Sequence, residues 1–435
     1  RNVMKKTVSL VLAMLVIVLA LAGCSEKEVN KEVTTGNSSA TDNSESSTES
    51  EKVEPVSIKF MNYSSSGANE ETFAKMVEAF EKENSDVKVE VLTYGYADYF
   101  QQLATAIAGG STPDVFELNI ENFRAYVNKG LVSKLEGIDV STIYPTTLKA
   151  FSVDGVQYGL PTKFSNVVLI YNKDLFDQAG ISYPTAEWTW KEELEAAQAI
   201  RALGDDYFGI FRPIQTWEFY KTIAQNGGAL MNEDQSEFTI NSEENIEALQ
   251  MMIDRVNTYN VTPNTEQMGG MGDWDLFKSG RLGMLVNGVW AFSDFTANCD
   301  FAWDIVVEPG IKNKATHFFS DAIVVSESSE KKEAATRFAA FIAGSDEAAK
   351  LRLEANWDLP VALTEETTNS YLAITPPENK QAVIDSLDYL VMPPSLESFN
   401  AIADILNDYL AQAAAEILSP KEALDQAQEE ISSQF

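Results

Sequence analysis

Histidine occurs once in this 435-residue chain and cysteine twice. With His317 alone, neither an HExxH zinc site nor a paired-histidine mechanism can be built, and no CxxC motif offers a metal or redox site. No Gly-Lys dipeptide occurs, which excludes a Walker A phosphate loop, and there is no GxSxG elbow. Positive charge is scarce as well. The 32 Lys and Arg stand against 66 Asp and Glu, a formal net charge of −34, which argues against nucleic acid or an anionic lipid surface as ligand. Abundant carboxylates leave a glycosidase-type acid pair open, although neighbours such as Glu192-Glu193 and Asp205-Asp206 read as solvated helix and turn residues. The residues themselves reveal no metal, cofactor or catalytic constellation.

What is present begins with a leader. Lys5 and Lys6 precede an apolar run over residues 8–22 that ends in Leu21-Ala22-Gly23-Cys24. A short positive region, an apolar stretch too short for a comfortable span and small residues before the cleavage point describe a secretory signal peptide over residues 1–23, with Met4 as the natural start. Cysteine directly after Leu-Ala-Gly resembles the bacterial lipobox. That resemblance implies a diacylated Cys24 and a lipoprotein on the outer side of a cell membrane, most simply that of a Gram-positive bacterium. Residues 24–54 are rich in Ser, Thr, Asn, Glu and Lys and bury too little apolar surface to offset their ordering entropy, so they read as a disordered tether. With Cys24 carrying lipid, Cys299 has no disulfide partner and reads as a small buried apolar residue.

From residue 55 the composition becomes that of a globular protein, with 45% hydrophobic and 10% aromatic residues over the chain, and the length suits two lobes. Residues 56–60 form a β-type run; Phe73, Met76, Val77 and Phe80 follow the 3.6-residue period of an amphipathic helix. Val87, Val89 and Val91 alternate as a strand, Phe100, Leu103, Ala104 and Ile107 mark a second helix stopped by Gly109-Gly110, and Pro113-Asp114-Val115-Phe116 opens a third strand. This order predicts an α/β fold with a parallel sheet and crossover helices, whose ligands sit beyond the carboxyl ends of the strands. Further on, Phe399, Ile402, Ala403 and Leu406 share a helix face, and Ser419-Pro420-Lys421-Glu422 is a capping box with proline at the first helical position.

Midway, Gly155-Val156-Gln157-Tyr158-Gly159-Leu160-Pro161 leads into Val168-Leu169-Ile170-Tyr171-Asn172-Lys173-Asp174-Leu175-Phe176 and then Trp188-Thr189-Trp190-Lys191-Glu192-Glu193. Together with Gly110-Ser111-Thr112-Pro113-Asp114-Val115 and Gly280-Arg281-Leu282-Gly283-Met284 before Asn287-Gly288-Val289-Trp290, this order resembles the extracellular solute-binding proteins of ABC importers, the sugar-binding family that includes maltose-binding protein. The resemblance covers nearly all of residues 55–435. It implies a two-lobed periplasmic-binding-protein-like fold of type II, each lobe a mostly parallel sheet flanked by helices. Residues 55–160 plus 310–350 would form one lobe and 161–309 plus 351–435 the other. The hinge crossings fall near Leu160-Pro161, Glu308-Pro309-Gly310 and residues 353–356. It also implies a carbohydrate as the solute, transmembrane permease subunits as partners, and no reaction or cofactor.

Sugars present apolar CH faces edged with hydroxyls, so a site needs aromatic platforms beside Asp, Glu, Asn and Gln partners. Of the seven tryptophans, Trp290 and Trp217 match family stacking positions; Trp274 beside the Gly269-Gly270-Met271-Gly272 run and Trp357 near a crossing are further candidates. Trp303 and Trp190 read as core, and Trp188 as either. Polar partners are expected from Glu117 and Asn119 at the end of the third strand and from Asn62 and Tyr63 at the end of the first. Phe164 and Asn166 are expected to border the cleft, with Ser320 and Asp321 on a returning segment. That segment carries Thr316-His317-Phe318-Phe319 where the family often has glycine, and His317 reads as a surface residue. The same fold could instead hold a polyamine in an acidic cleft, and an extracellular glycan-active enzyme is the remaining alternative.

Overall fold

The computed structural model describes residues 54–435 apart from 234, 356, 358, 363, 395 and 397. The leader, the lipobox cysteine Cys24 and the tether up to residue 53 lie outside the described residues. Strand and helix alternate from the outset: β1 Val56–Asn62, α1 Glu70–Glu83, β2 Val87–Thr93, α2 Tyr96–Ala108, β3 Val115–Asn119 and α3 Ile120–Asn128. Phe73, Met76 and Phe80 face inward from α1, as their spacing predicts. β1 runs parallel to β2, from Val56 opposite Val87 to Asn62 opposite Thr93, and parallel to β3 at Phe60 and Val115. Asn119 ends β3 and caps α3, its side chain accepting from the Asn122 amide. The carboxyl end of the parallel strands therefore passes directly into a helix start, which sets Glu117, Asn119 and Glu121 at one edge.

The long strand β4, Gly159–Asn172, joins the two halves of the molecule. It is followed by α4 Trp190–Arg201, β5 Phe208–Phe211, α5 Thr216–Gln225, α6 Glu243–Asn257, β6 Leu282–Gly288, β7 Trp303–Val306 and β8 Thr316–Val325. Then come α7 Lys332–Gly344, β9 Leu359–Pro360, α8 Phe399–Ala414 and α9 Pro420–Gln434. The main sheet runs β2-β1-β3-β8-β4-β6-β5. β4 pairs antiparallel with β8 from Gly159 to Asn166, then changes partners, and from Val167 onward lies against β6 and β7. Leu160-Pro161 lies inside this strand. Pro161 has no N–H to donate, and the register shifts beside it: Ala322 opposes Pro161 while Asp321 opposes Lys163, leaving Thr162 as the extra residue of a bulge.

One apolar core packs Phe60, Phe73 and Phe80 against Phe338 of α7. Each such buried ring contributes about 1.5–3 kcal/mol. A second core gathers Phe219, Leu249, Leu406 and Leu424 from α5, α6, α8 and α9. The expected face of α8 is buried, and Ser419 and Glu422 form the expected capping box of α9. Trp303 packs between Phe292 and Phe295, as expected of a core residue. Cys299, expected buried, is only partly so, although burial still pushes its thiol up to about 12.

Candidate functional site

At the carboxyl end of β1, Tyr63 meets groups from three other segments. Its hydroxyl donates to Asp321 of β8, and its amide and that of Ser64 donate to the Glu117 carboxylate at 3.1 and 3.0 Å. Lys163 of β4 pairs with Asp321 at 3.1 Å, a contact that the bulge aligns. Tyr96, 58% exposed at the start of α2, sets its ring edge-on 5.2 Å from that of Tyr63, and its hydroxyl accepts from Asn119 at 3.1 Å. Burial raises the Glu117 carboxyl, and the negative Asp321 adds to this, against Lys163 and the Ser64 contacts. Burial and then Asp321 likewise hold the Tyr63 hydroxyl well above the usual phenol range.

An aromatic wall adjoins this polar cluster. Phe319 lies 5.9 Å from Trp217 of α5 and 5.6 Å from Trp290, so it links the two indoles. Trp290 is 41% exposed, and Trp217 is half-buried. Gly288 makes room for the Trp290 ring: a Cβ there would meet it at 2.0 Å. His317 is not the surface residue expected from the sequence. It is 4% exposed, stacked on Phe319 at 5.1 Å, and Nε2 bonds the Trp217 carbonyl. Burial, helped by the nearby Lys221 charge, lowers it to about 3, so the ring is neutral. His317, Phe319 and Asp321 alternate along β8, and the period-2 spacing that puts such residues on one face was legible but unused.

Beneath Trp217 lies a buried ion cluster. Arg212 reaches Glu193 at 2.8 Å, Glu218 at 2.8 Å and Glu308 at 2.7 Å; Lys221 reaches Glu218 at 2.9 Å and Glu308 at 2.7 Å; Arg255 pairs with Glu193. Both guanidiniums also lie over the Trp190 ring, at 3.9 Å for Arg255 and 4.7 Å for Arg212. Trp190 is thus core, as expected, whereas Glu193, expected on a solvated helix face, is fully buried. Burial works against the Glu218 carboxylate, yet Lys221 and Arg212 hold it at about 2. Glu193 is lowered in the same way: Arg212 and Arg255 outweigh its burial.

Between α3 and the 228–235 segment opens a cavity of about 470 Å³, lined by Glu121, Arg124, Lys149, Tyr220 and Met392 among others. Glu121 faces it half-buried, and burial raises its carboxyl to about 7 despite its own amide and Asn119, with Asp321 adding to the rise. Sequence reasoning missed Glu121, Tyr96, Tyr220 and Phe319. The position of Glu121 two residues beyond a strand end was the available signal.

The structure therefore brings together Tyr63, Glu117, Asn119 and Asp321 on one side and Trp217 and Trp290 on the other. The remaining candidates are placed differently. Asn62 is buried and spent on its own turn, accepting from the Ser65 amide and hydroxyl at 3.0 and 2.7 Å. Phe164, expected at the cleft border, is fully buried and stacked on Tyr144 at 6.1 Å. Asn166 is equally buried and donates to the Val383 carbonyl at 2.8 Å. Ser320 donates to the Lys163 carbonyl at 2.7 Å, inside the strand pair. Trp274 packs half-buried on Phe295 at 5.5 Å, and Trp357 is buried with the Arg352 guanidinium 4.4 Å over its ring. Among the described residues no group of His, Cys, Asp and Glu could hold a metal ion, and no helix is long and apolar enough to cross a membrane.

A family profile described as "Bacterial extracellular solute-binding protein" matches residues 64–349, well over half of the chain. Among solved structures, an ABC substrate-binding protein from Listeria monocytogenes in complex with cycloalternan is similar, at 43% identity and a TM-score of 0.81, over 87% of this chain and 99% of that one. Among curated relatives, the galactooligosaccharide-binding protein of Bacillus subtilis (strain 168) is 26% identical over 82% of this chain and 85% of its own length. The arabinooligosaccharide-binding protein of the same strain is 23% identical over 80% and 78%.

Proposed function

The chain belongs to the bacterial extracellular solute-binding protein family, and from that membership we propose that it captures an oligosaccharide in a cleft between two lobes and delivers it to the transmembrane permease of an ABC importer. The lobes are residues 55–160 plus 310–350 and residues 161–309 plus 351–435, and the change of partners along β4 between Asn166 and Val167 supports a hinge there. Cys24 carries the lipid that holds the mature chain at the outer face of the membrane. No reaction takes place on this chain.

The observation that carries the reading is the Trp217–Phe319–Trp290 wall beside the Tyr63, Asn119 and Asp321 set. Indole faces take the apolar side of a pyranose, and the carboxylate, amide and phenol take its hydroxyls. A hinge that closes over the bound sugar shifts the population toward the closed form, and that form docks on the permease. The saccharides bound or named for the three relatives support a neutral oligosaccharide as the solute class.

A thermal-shift series with cycloalternan, galacto- and arabino-oligosaccharides, and spermidine tests this. A ligand at a hundred times its dissociation constant stabilises the folded state by about 2.7 kcal/mol, a readily visible shift. Stabilisation by at least one saccharide is expected. A response to spermidine with none to any saccharide would sink the reading, and chromatographic turnover of the saccharide would replace it with an enzyme.

A further inference from the structure

The cavity between α3 and the 228–235 segment carries polar groups that the fold leaves unused. Tyr220 is 4% exposed, lines the cavity, and its buried hydroxyl has no hydrogen-bond partner among the described residues. A buried hydroxyl left unpaired costs about 1–3 kcal/mol, so its retention calls for an explanation. Across the cavity, Glu121 and Arg124 lie three residues apart on α3, hence on one helix face, and both line the opening. Arg124 is half-buried and makes no hydrogen bond or ion pair with any described residue, although its guanidinium offers five donors. Tyr220 of α5 and Glu121 of α3 line the same opening. The Tyr220 ring also lies 6.0 Å from that of Trp217, so the cavity continues the aromatic wall rather than standing apart from it.

We propose that Arg124 and Glu121 of α3, together with the Tyr220 hydroxyl, form a second subsite that reads the hydroxyls of a further pyranose, in an oligosaccharide whose neighbouring unit rests on Trp217. The inference rests on the saccharide-binding reading and adds to it a requirement for ligand length. The available space, about 470 Å³, lies within the usual range for small-molecule sites. Its composition fits hydroxyl recognition. A guanidinium donates, a phenol donates or accepts, and burial lets Glu121 keep its proton near neutral pH and do both. A monosaccharide held at the tryptophans alone leaves all three unengaged; a longer ligand satisfies them.

Calorimetric titration of the folded chain with glucose, maltose, maltotetraose and cycloalternan tests the subsite in Tyr220→Phe and Arg124→Ala. Tyr220→Phe removes only the unpaired hydroxyl, so its melting temperature should not fall. Its affinity for whichever of maltose, maltotetraose and cycloalternan binds wild type should drop about 3- to 10-fold, with glucose binding unchanged. Arg124→Ala should lose about tenfold or more on the same ligand, and Arg124→Lys should recover part of it. Wild-type affinity for the larger saccharide in both variants, or an equal loss for large and small ones, overturns the subsite while the saccharide-binding reading stands. A wild-type chain that binds none of the four overturns the subsite, and one that also fails with the galacto- and arabino-oligosaccharides overturns both.

Discussion

Two clusters of buried glutamates lie on either side of Trp217 and Tyr220, and their protons behave oppositely. Under α5, Glu193, Glu218 and Glu308 meet Arg212, Arg255 and Lys221, three carboxylates against three cations. At the β3 edge, Lys163 pairs with Asp321 and works against the rise of Glu117, whereas burial and Asp321 both raise Glu121. Burial is common to both, so the partners decide the sign: Glu193 and Glu218 are lowered, Glu117 and Glu121 raised. A balanced cluster has its charges matched and serves as a foundation. An unbalanced one keeps hydrogen-bonding capacity in reserve, and its Glu121 lines the cavity.

The largest test breaks the balanced side. Arg212→Ala leaves three buried carboxylates to two cations, Lys221 and Arg255, and should cost about 3–5 kcal/mol in denaturant unfolding. A loss under 1 kcal/mol would mean that water already screens the cluster. A middle-sized effect should appear on the wall that this foundation supports. Trp290→Ala should weaken saccharide affinity by about 1–3 kcal/mol while the melting curve barely moves, because the ring is 41% exposed. Gly288→Ala, which drives a Cβ into that ring, should reproduce the affinity loss. Unfolding in place of weakened binding would assign Trp290 to the core.

The smallest effect is a pH signature. Glu121 at about 7 in the fold lies above its ordinary range, so the folded state holds its proton more tightly than the unfolded chain. Its stabilising contribution is therefore full at acid pH, below the ordinary carboxylate value, and is lost as pH rises toward 7. His317, lowered to about 3, runs the other way: its contribution is full above the ordinary imidazole value near 6.5 and is lost as pH falls toward 3. In melting temperature against pH, Glu121→Gln should flatten the decline toward neutrality, and His317→Gln the decline toward acid. If the Glu121→Gln profile overlays that of wild type from acid to neutral pH, the contrast between the two clusters loses its footing.

The sequence was most informative where one periodicity had one consequence. The spacing of Phe73, Met76 and Phe80, the alternation of Val87, Val89 and Val91, and the Ser419 capping box each appear as read. It was least informative where a residue's fate depends on segments far away in the chain. Glu193 looks like any charged helix residue until Arg212 and Arg255, 19 and 62 positions on, are folded over it. His317 looks like a surface imidazole until its ring is laid on Phe319 under Tyr220. Phe164 and Trp357 were selected for proximity in sequence to a crossing, and the crossing turned them inward.

By itself the chain determined the order of strands and helices and the strand ends where polar groups collect, because these follow from local backbone preference and the burial of one face. The family followed from motifs in fixed order. Tertiary structure alone decided which carboxylates keep their protons, which tryptophans stay exposed, and that Tyr220 would be left with an unpaired hydroxyl. Those outcomes depend on desolvation and on charges brought within a few ångströms from distant segments, and no local pattern encodes such distances.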